Sequence, residues 1–123
     1  MDDAQGKVTI APAVLTSVVR LTALEQPGVH RLAATPRNVR GLLTGSKFDE
    51  GILLAVIDGA VHVELHVVAE ADANMLKLGE TLQSEVTRAV EEMVGMPVQS
   101  VDVYIDDVVL PTLPTPAPRE RVE

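Results

Sequence analysis

The sequence predicts an α+β domain: a small mixed or antiparallel β-sheet with two helices packed on one face, in the order β-α-loop-β-β-α-β. Three observations predict it. Segments 13–26 and 74–95 carry apolar residues at helical spacing, whereas other segments alternate in the manner of half-buried strands. An Asp58-Gly59 pair separates two apolar runs, and this is the dipeptide preferred in a two-residue type I′ hairpin turn. The chain has 123 residues, 46% hydrophobic and 23% charged, which is enough for one core.

Each element follows from its local residues. "KVTIA" alternates, so it is expected as a short first strand with Val8 and Ile10 on one face. Pro12 suits a first helical turn, where its missing N–H costs nothing. "AVLTSVVRLTALEQ" continues that helix with Val14, Leu15, Val18, Val19 and Leu21 on its apolar side, until Pro27 and Gly28 stop it. Residues 30–50 lack a clean period and are expected as a long loop with one short element near Val39–Leu43.

"GILLAVIDGAVHVELHVVAE" is the hairpin. With the turn at Asp58-Gly59, Ile57 faces Ala60, Ala55 faces His62, Leu53 faces Glu64 and Gly51 faces His66. On the other side of the ribbon Val56 meets Val61, Leu54 meets Val63 and Ile52 meets Leu65. "NMLKLGETLQSEVTRAVEEMVG" is the second helix, with Asn74 as N-cap and Gly95 and Pro97 as its stop. "VQSVDVYIDDV" is the last strand. The domain is expected over residues 7–108, after a flexible N-terminus (1–6) and before a disordered tail (109–123) in which "PTLPTPAPRERVE" has four prolines.

Composition excludes several functions. There is no cysteine, so disulfides, thiolate chemistry and Cys-based zinc sites are absent. Phe48 and Tyr104 are the two aromatic residues, so the core must be aliphatic. The acidic N-terminus does not read as a signal peptide, and no apolar run nears the roughly 20 residues that span a bilayer. The expected location is cytoplasmic, without direct membrane insertion. Net charge is −8, with +1 over residues 1–50, −9 over 51–110 and zero beyond. So acidic a surface repels phosphate backbones, and two aromatics make no base-stacking platform, so nucleic acid is not an expected partner.

The expected core face carries Val8, Ile10, Ile52, Leu54, Val56, Val61, Val63, Leu65, Val67, Val101, Val103 and Ile105. The opposite face mixes apolar and polar groups: Leu53, Ala55, Ile57, His62, Glu64, His66, Val68, Asp102, Tyr104 and Asp106. Bare apolar residues on such a face mark a contact surface, and these ten residues are the candidate interaction face. A second candidate is the basic segment containing Arg31, Arg37, Arg40 and Lys47. Set against an acidic C-terminal half, it could steer one copy onto another.

His62, Glu64 and His66 alternate on one strand and share a face, so they are also candidate metal ligands. Their expected cross-strand neighbours, Ala55, Leu53 and Gly51, offer no further ligand. A polar or interface strand is therefore the preferred reading over a metal-binding protein or metal-dependent enzyme. "GLLTGSK" has phosphate-loop character but is one residue short, and no strand leads into it. No serine sits in a nucleophile elbow. Asp106 and Asp107 are strand neighbours on opposite faces, and His30 is expected at the surface. No catalytic residue and no cofactor is expected.

"GKVTIAPAVLTSVVRLTALEQPGV", "DGAVHVELHVVAE" and "LQSEVTRAVEEMVGMPVQSVDVYIDDV" together resemble the bacterial alkaline shock protein family, over most of residues 6–108. The chain departs from the family at "EADANMLKLG", which lacks an aromatic-glycine pair, and at Val94, where threonine is common. The resemblance implies a small non-enzymatic protein of the envelope stress response. It implies action by self-association or by binding a membrane-anchored partner, which would hold the chain at the inner face of the cell membrane.

Overall fold

A computed structural model describes residues 5–34 and 51–110, together with the pairing of 47–49. Its elements are α1 (Pro12–Glu25), β1 (Val29–Leu32), β2 (Lys47–Asp49), β3 (Ile52–Ile57), β4 (Ala60–Glu70), α2 (Met75–Ala89), a π-helical turn (Val90–Val94) and β5 (Val98–Val109). The fold is α+β, as the patterning predicts.

β4 is the spine of a five-stranded mixed sheet. β5 runs parallel to it along Val61–Glu70, reached through α2, because parallel neighbours need a crossover. The other edge of β4 is shared: β3 takes Ala60–Leu65, β1 takes Val67–Ala69, and β2 pairs outside β3, all antiparallel. The hairpin register agrees residue for residue with that read from the sequence, from Ile57↔Ala60 to Ile52↔Leu65. Asp58 and Gly59 have φ of 52° and 79°, the left-handed pair that a type I′ turn requires.

The junction of β1 and β3 depends on Gly51. Its φ is 77°, and a Cβ there would lie 2.9 Å from the His66 carbonyl oxygen and 3.0 Å from that of Ala33. The Gly51 carbonyl accepts from the His66 amide at 2.7 Å, and the Ala33 amide donates to the His66 carbonyl at 2.9 Å. One residue of β4 is thereby bonded to the end of each partner, and only glycine fits between them.

Both helices cover one face of the sheet. α1 contributes Leu15, Val18, Val19 and Ala23 to the core, and α2 with its π-turn contributes Leu78, Leu82, Val86, Ala89 and Val90. Beneath them lie Ile52 and Leu54 of β3, Val61, Val63, Leu65, Val67 and Ala69 of β4, and Val101 of β5. Burial of each valine, leucine or isoleucine among them contributes about 1.5–3 kcal/mol. The Asn74 side chain caps α2 by accepting from the Lys77 amide at 3.0 Å, and Gly95, at φ 85°, ends the π-turn.

Several expectations are corrected. Residues 6–11 form no strand, and Val8 is 91% exposed and Ile10 41%. Both edges of β4 are already occupied, so the expected first strand has no place on the spine. Val29–Leu32 takes that position instead, within and just before the segment expected as a long loop. Its pattern was unreadable because a bulge at His30 breaks the alternation. Lys47–Asp49 is a further strand in that segment, whereas the expected element near Val39–Leu43 lies outside the described residues. Val56, expected in the core, is half-exposed at the hairpin tip, and Val14 and Leu21 lie on the outer side of α1. β5 ends at Val109, one residue into the tail expected over 109–123, and residues 111–123 lie outside the described residues.

Candidate functional site

The face of the sheet away from the helices carries a side-chain cluster that the β4–β5 register assembles. The pairings His62↔Ser100, Glu64↔Asp102 and His66↔Tyr104 set the polar positions of two parallel strands side by side. At Val67↔Ile105 and Val68↔Asp107 the register slips, so Asp106 is an extra residue bulged out of β5. Its carboxylate thereby reaches back to His66.

His66 is the centre of the cluster. Its Nε2 lies 2.8 Å from Glu64 Oε2 and its Nδ1 2.9 Å from Asp106 Oδ2. Its ring stacks on that of Tyr104, with centroids 4.6 Å apart and planes 8° from parallel. Carboxylate oxygens only accept, so both ring nitrogens must donate, and the arrangement selects the imidazolium form. Burial of the ring pushes its pKa down, but the hydrogen bonds and charges of Glu64 and Asp106 outweigh this, and the pKa is raised. His62 Nδ1 lies 3.3 Å from Ser100 Oγ.

The expected interaction face is thus mostly in one place. Leu53 and Ala55 are half-buried beside the polar column, and Ile57, Asp102, Tyr104 and Asp106 are exposed. Val68 is the exception: at 2% exposure it is buried and offers no contact area. Of the basic segment, Arg31 lies exposed on β1 and Lys47 pairs in register with Leu54, whereas Arg37 and Arg40 lie outside the described residues. His30 Nδ1 is 3.7 Å from Glu70 Oε2.

The metal-ligand set does not assemble. Among the described residues no three His, Asp or Glu side chains are grouped to hold an ion. His66 instead directs its two ring nitrogens at Glu64 and Asp106, and His62 directs Nδ1 at Ser100. Sequence spacing found His66 and Glu64 and put Asp106 and Tyr104 on the same face. It missed that these four touch, because the contact depends on a parallel register and on a bulge, neither of which leaves a periodic trace.

No helix among the described residues is long and apolar enough to cross a membrane. A family model for alkaline shock proteins, whose function is described as cell envelope-related, matches residues 1–110. The chain belongs to the alkaline shock protein family. An uncharacterised protein of Streptococcus pyogenes serotype M6, Spy1535, is 22% identical over 112 residues, covering 90% of this chain and 85% of its own. An uncharacterised protein of Bacillus subtilis, YloU, is 21% identical over 106 residues, covering 84% and 88%. No solved structure matches. The alkaline shock family match spans every element of the fold, including the open face and its cluster around His66.

Proposed function

We propose that this alkaline shock family protein is a non-enzymatic contact protein of the cell-envelope stress response, acting through the open face of its sheet. The carrying observation is the composition of that face. Half-buried Leu53 and Ala55 and exposed Ile57 form an apolar strip along β3, beside a rigid polar column on β4 and β5. A partner can bury the strip and pair the rim, which is the usual anatomy of a protein contact.

Two forms of contact are consistent with the strip: self-association, and attachment to a membrane-anchored partner that holds the chain at the inner face of the cell membrane. The cluster around His66 supports a contact role over a catalytic one. Its two carboxylates share one histidine, which uses both ring nitrogens on them and has neither left for a substrate. Fractionation of cells producing the chain tests the attachment. Wild-type chain is expected with the membranes, and Ile57→Asp in the soluble fraction. Equal distribution of the two would count against the open face as the attachment surface.

A further inference from the structure

β5 pairs with β4 alone, so its outer edge carries no strand among the described residues. In a parallel pair, one residue turns both main-chain groups to its neighbour and the next turns them away. The Val101 carbonyl accepts from the Gln83 side chain of α2 at 3.1 Å, which marks Val101 as outward-directed. Val103 and Ile105, two and four residues on, share that direction. A register slip between Val61↔Val98 and His62↔Ser100 shifts the alternation by one residue, so the Val98 amide also points outward, where it donates to Glu91 Oε2 at 3.3 Å. Two side chains therefore serve the first part of the edge, and among the described residues no such bond forms at Val103 or Ile105.

Open edges of this kind are usually blunted with lysine or proline. β5, "VQSVDVYIDDVV", has neither; its charged residues are Asp102, Asp106 and Asp107. Among the described residues, Arg88 lies 2.6 Å from Glu85 and 3.3 Å from Glu92, and His66 is held by Glu64 and Asp106. Asp102 is exposed on the open face, and residues 51–110 as a whole carry −9. Two copies brought edge to edge would set aspartates against aspartates. An extended chain with Lys or Arg at alternate positions meets the opposite situation.

We propose that the outer edge of β5 receives an extended basic segment of a partner protein as an added strand. Its main chain bonds to Val103 and Ile105, and its cationic side chains lie along the Asp102 side. Main-chain pairing supplies affinity, and the charge pattern supplies selection. The proposal rests on the reading of the chain as a contact protein, and it concerns a surface separate from the β3 strip.

Amide exchange of the full chain with an alternating valine–lysine heptapeptide tests it. Val103 and Ile105 amides are expected to slow by about tenfold or more at saturating peptide, and Asp102→Lys is expected to weaken peptide binding by about tenfold. A heptapeptide N-methylated at the amides that would face β5 should give no slowing. Three outcomes overturn the proposal. One is equal slowing by the N-methylated peptide, which means charge attraction without strand addition. Another is no slowing at saturation with the unmodified peptide. The third is slowing that grows with chain concentration alone, which means that a second copy covers the edge. Loss of the β3 contact in Ile57→Asp leaves these amides unaffected, so the two readings fail separately.

Discussion

His66 and Asp106 are joined across parallel strands by a 2.9 Å hydrogen bond that exists only because Asp106 is bulged out of register. With Glu64 at 2.8 Å on the other ring nitrogen, the imidazole is held as a cation between two carboxylates. The folded-state pKa of His66 is therefore above its unfolded value. A proton titration of the His66 ring by NMR should place its midpoint above about 6.5, the ordinary histidine value. Asp106→Asn should move it down, and an unchanged midpoint would contradict the geometry.

The sign of the pH dependence follows from that raised pKa. The folded state binds the His66 proton more tightly than the unfolded state does. The resulting stabilisation is complete below the unfolded value and is lost as pH rises through the folded one. Both carboxylates are more than a third exposed, so solvent screening keeps the effect small, about 1 kcal/mol. Urea midpoints for wild type and His66→Gln should differ most in mildly acidic solution and converge in alkaline solution.

Two glycine substitutions should act in opposite directions. Gly51→Ala meets backbone carbonyls at 2.9 and 3.0 Å in a left-handed conformation, and should cost more than about 1 kcal/mol. Gly79→Ala meets nothing within 4 Å inside α2, and should stabilise by about 0.5–1 kcal/mol. Denaturant unfolding of the pair measures both signs in one experiment.

The first strand expected from the sequence gives a further contrast. Val8, 91% exposed, should tolerate Val8→Ser within about 0.5 kcal/mol. Leu82, with no exposed surface in the core, should lose about 2–5 kcal/mol as Leu82→Ala. Had "KVTIA" formed a core strand, the two substitutions would cost comparable amounts.

That contrast shows what patterning could reveal and what it could not. The hairpin was legible to the residue, because a Asp-Gly turn fixes register and the alternation of β4 then assigns every face. α2 was legible because its cap, period and stop agree. β1 was not, because four residues with a bulge have no period, and its position depends on β3 ending at Gly51. "KVTIA" alternates just as a strand does, but the spine had no free edge for it. The alternation of β4 and β5 also places His62, Glu64, His66, Asp102 and Tyr104 on one side of the sheet. The clamp on His66 needed the parallel register, the slip at Ile105 and the bulged Asp106, which are tertiary facts.

The contact role of the open face is tested most directly by light scattering coupled to size-exclusion chromatography, on wild type and Ile57→Asp. Ile57 is 53% exposed at the hairpin end, so a charge there leaves the core intact, and circular dichroism can verify that. The account predicts a wild-type assembly heavier than the 13.1 kDa chain and a shift toward that mass in the variant. Equal masses for the two proteins would contradict self-association through the open face and leave only attachment to a partner.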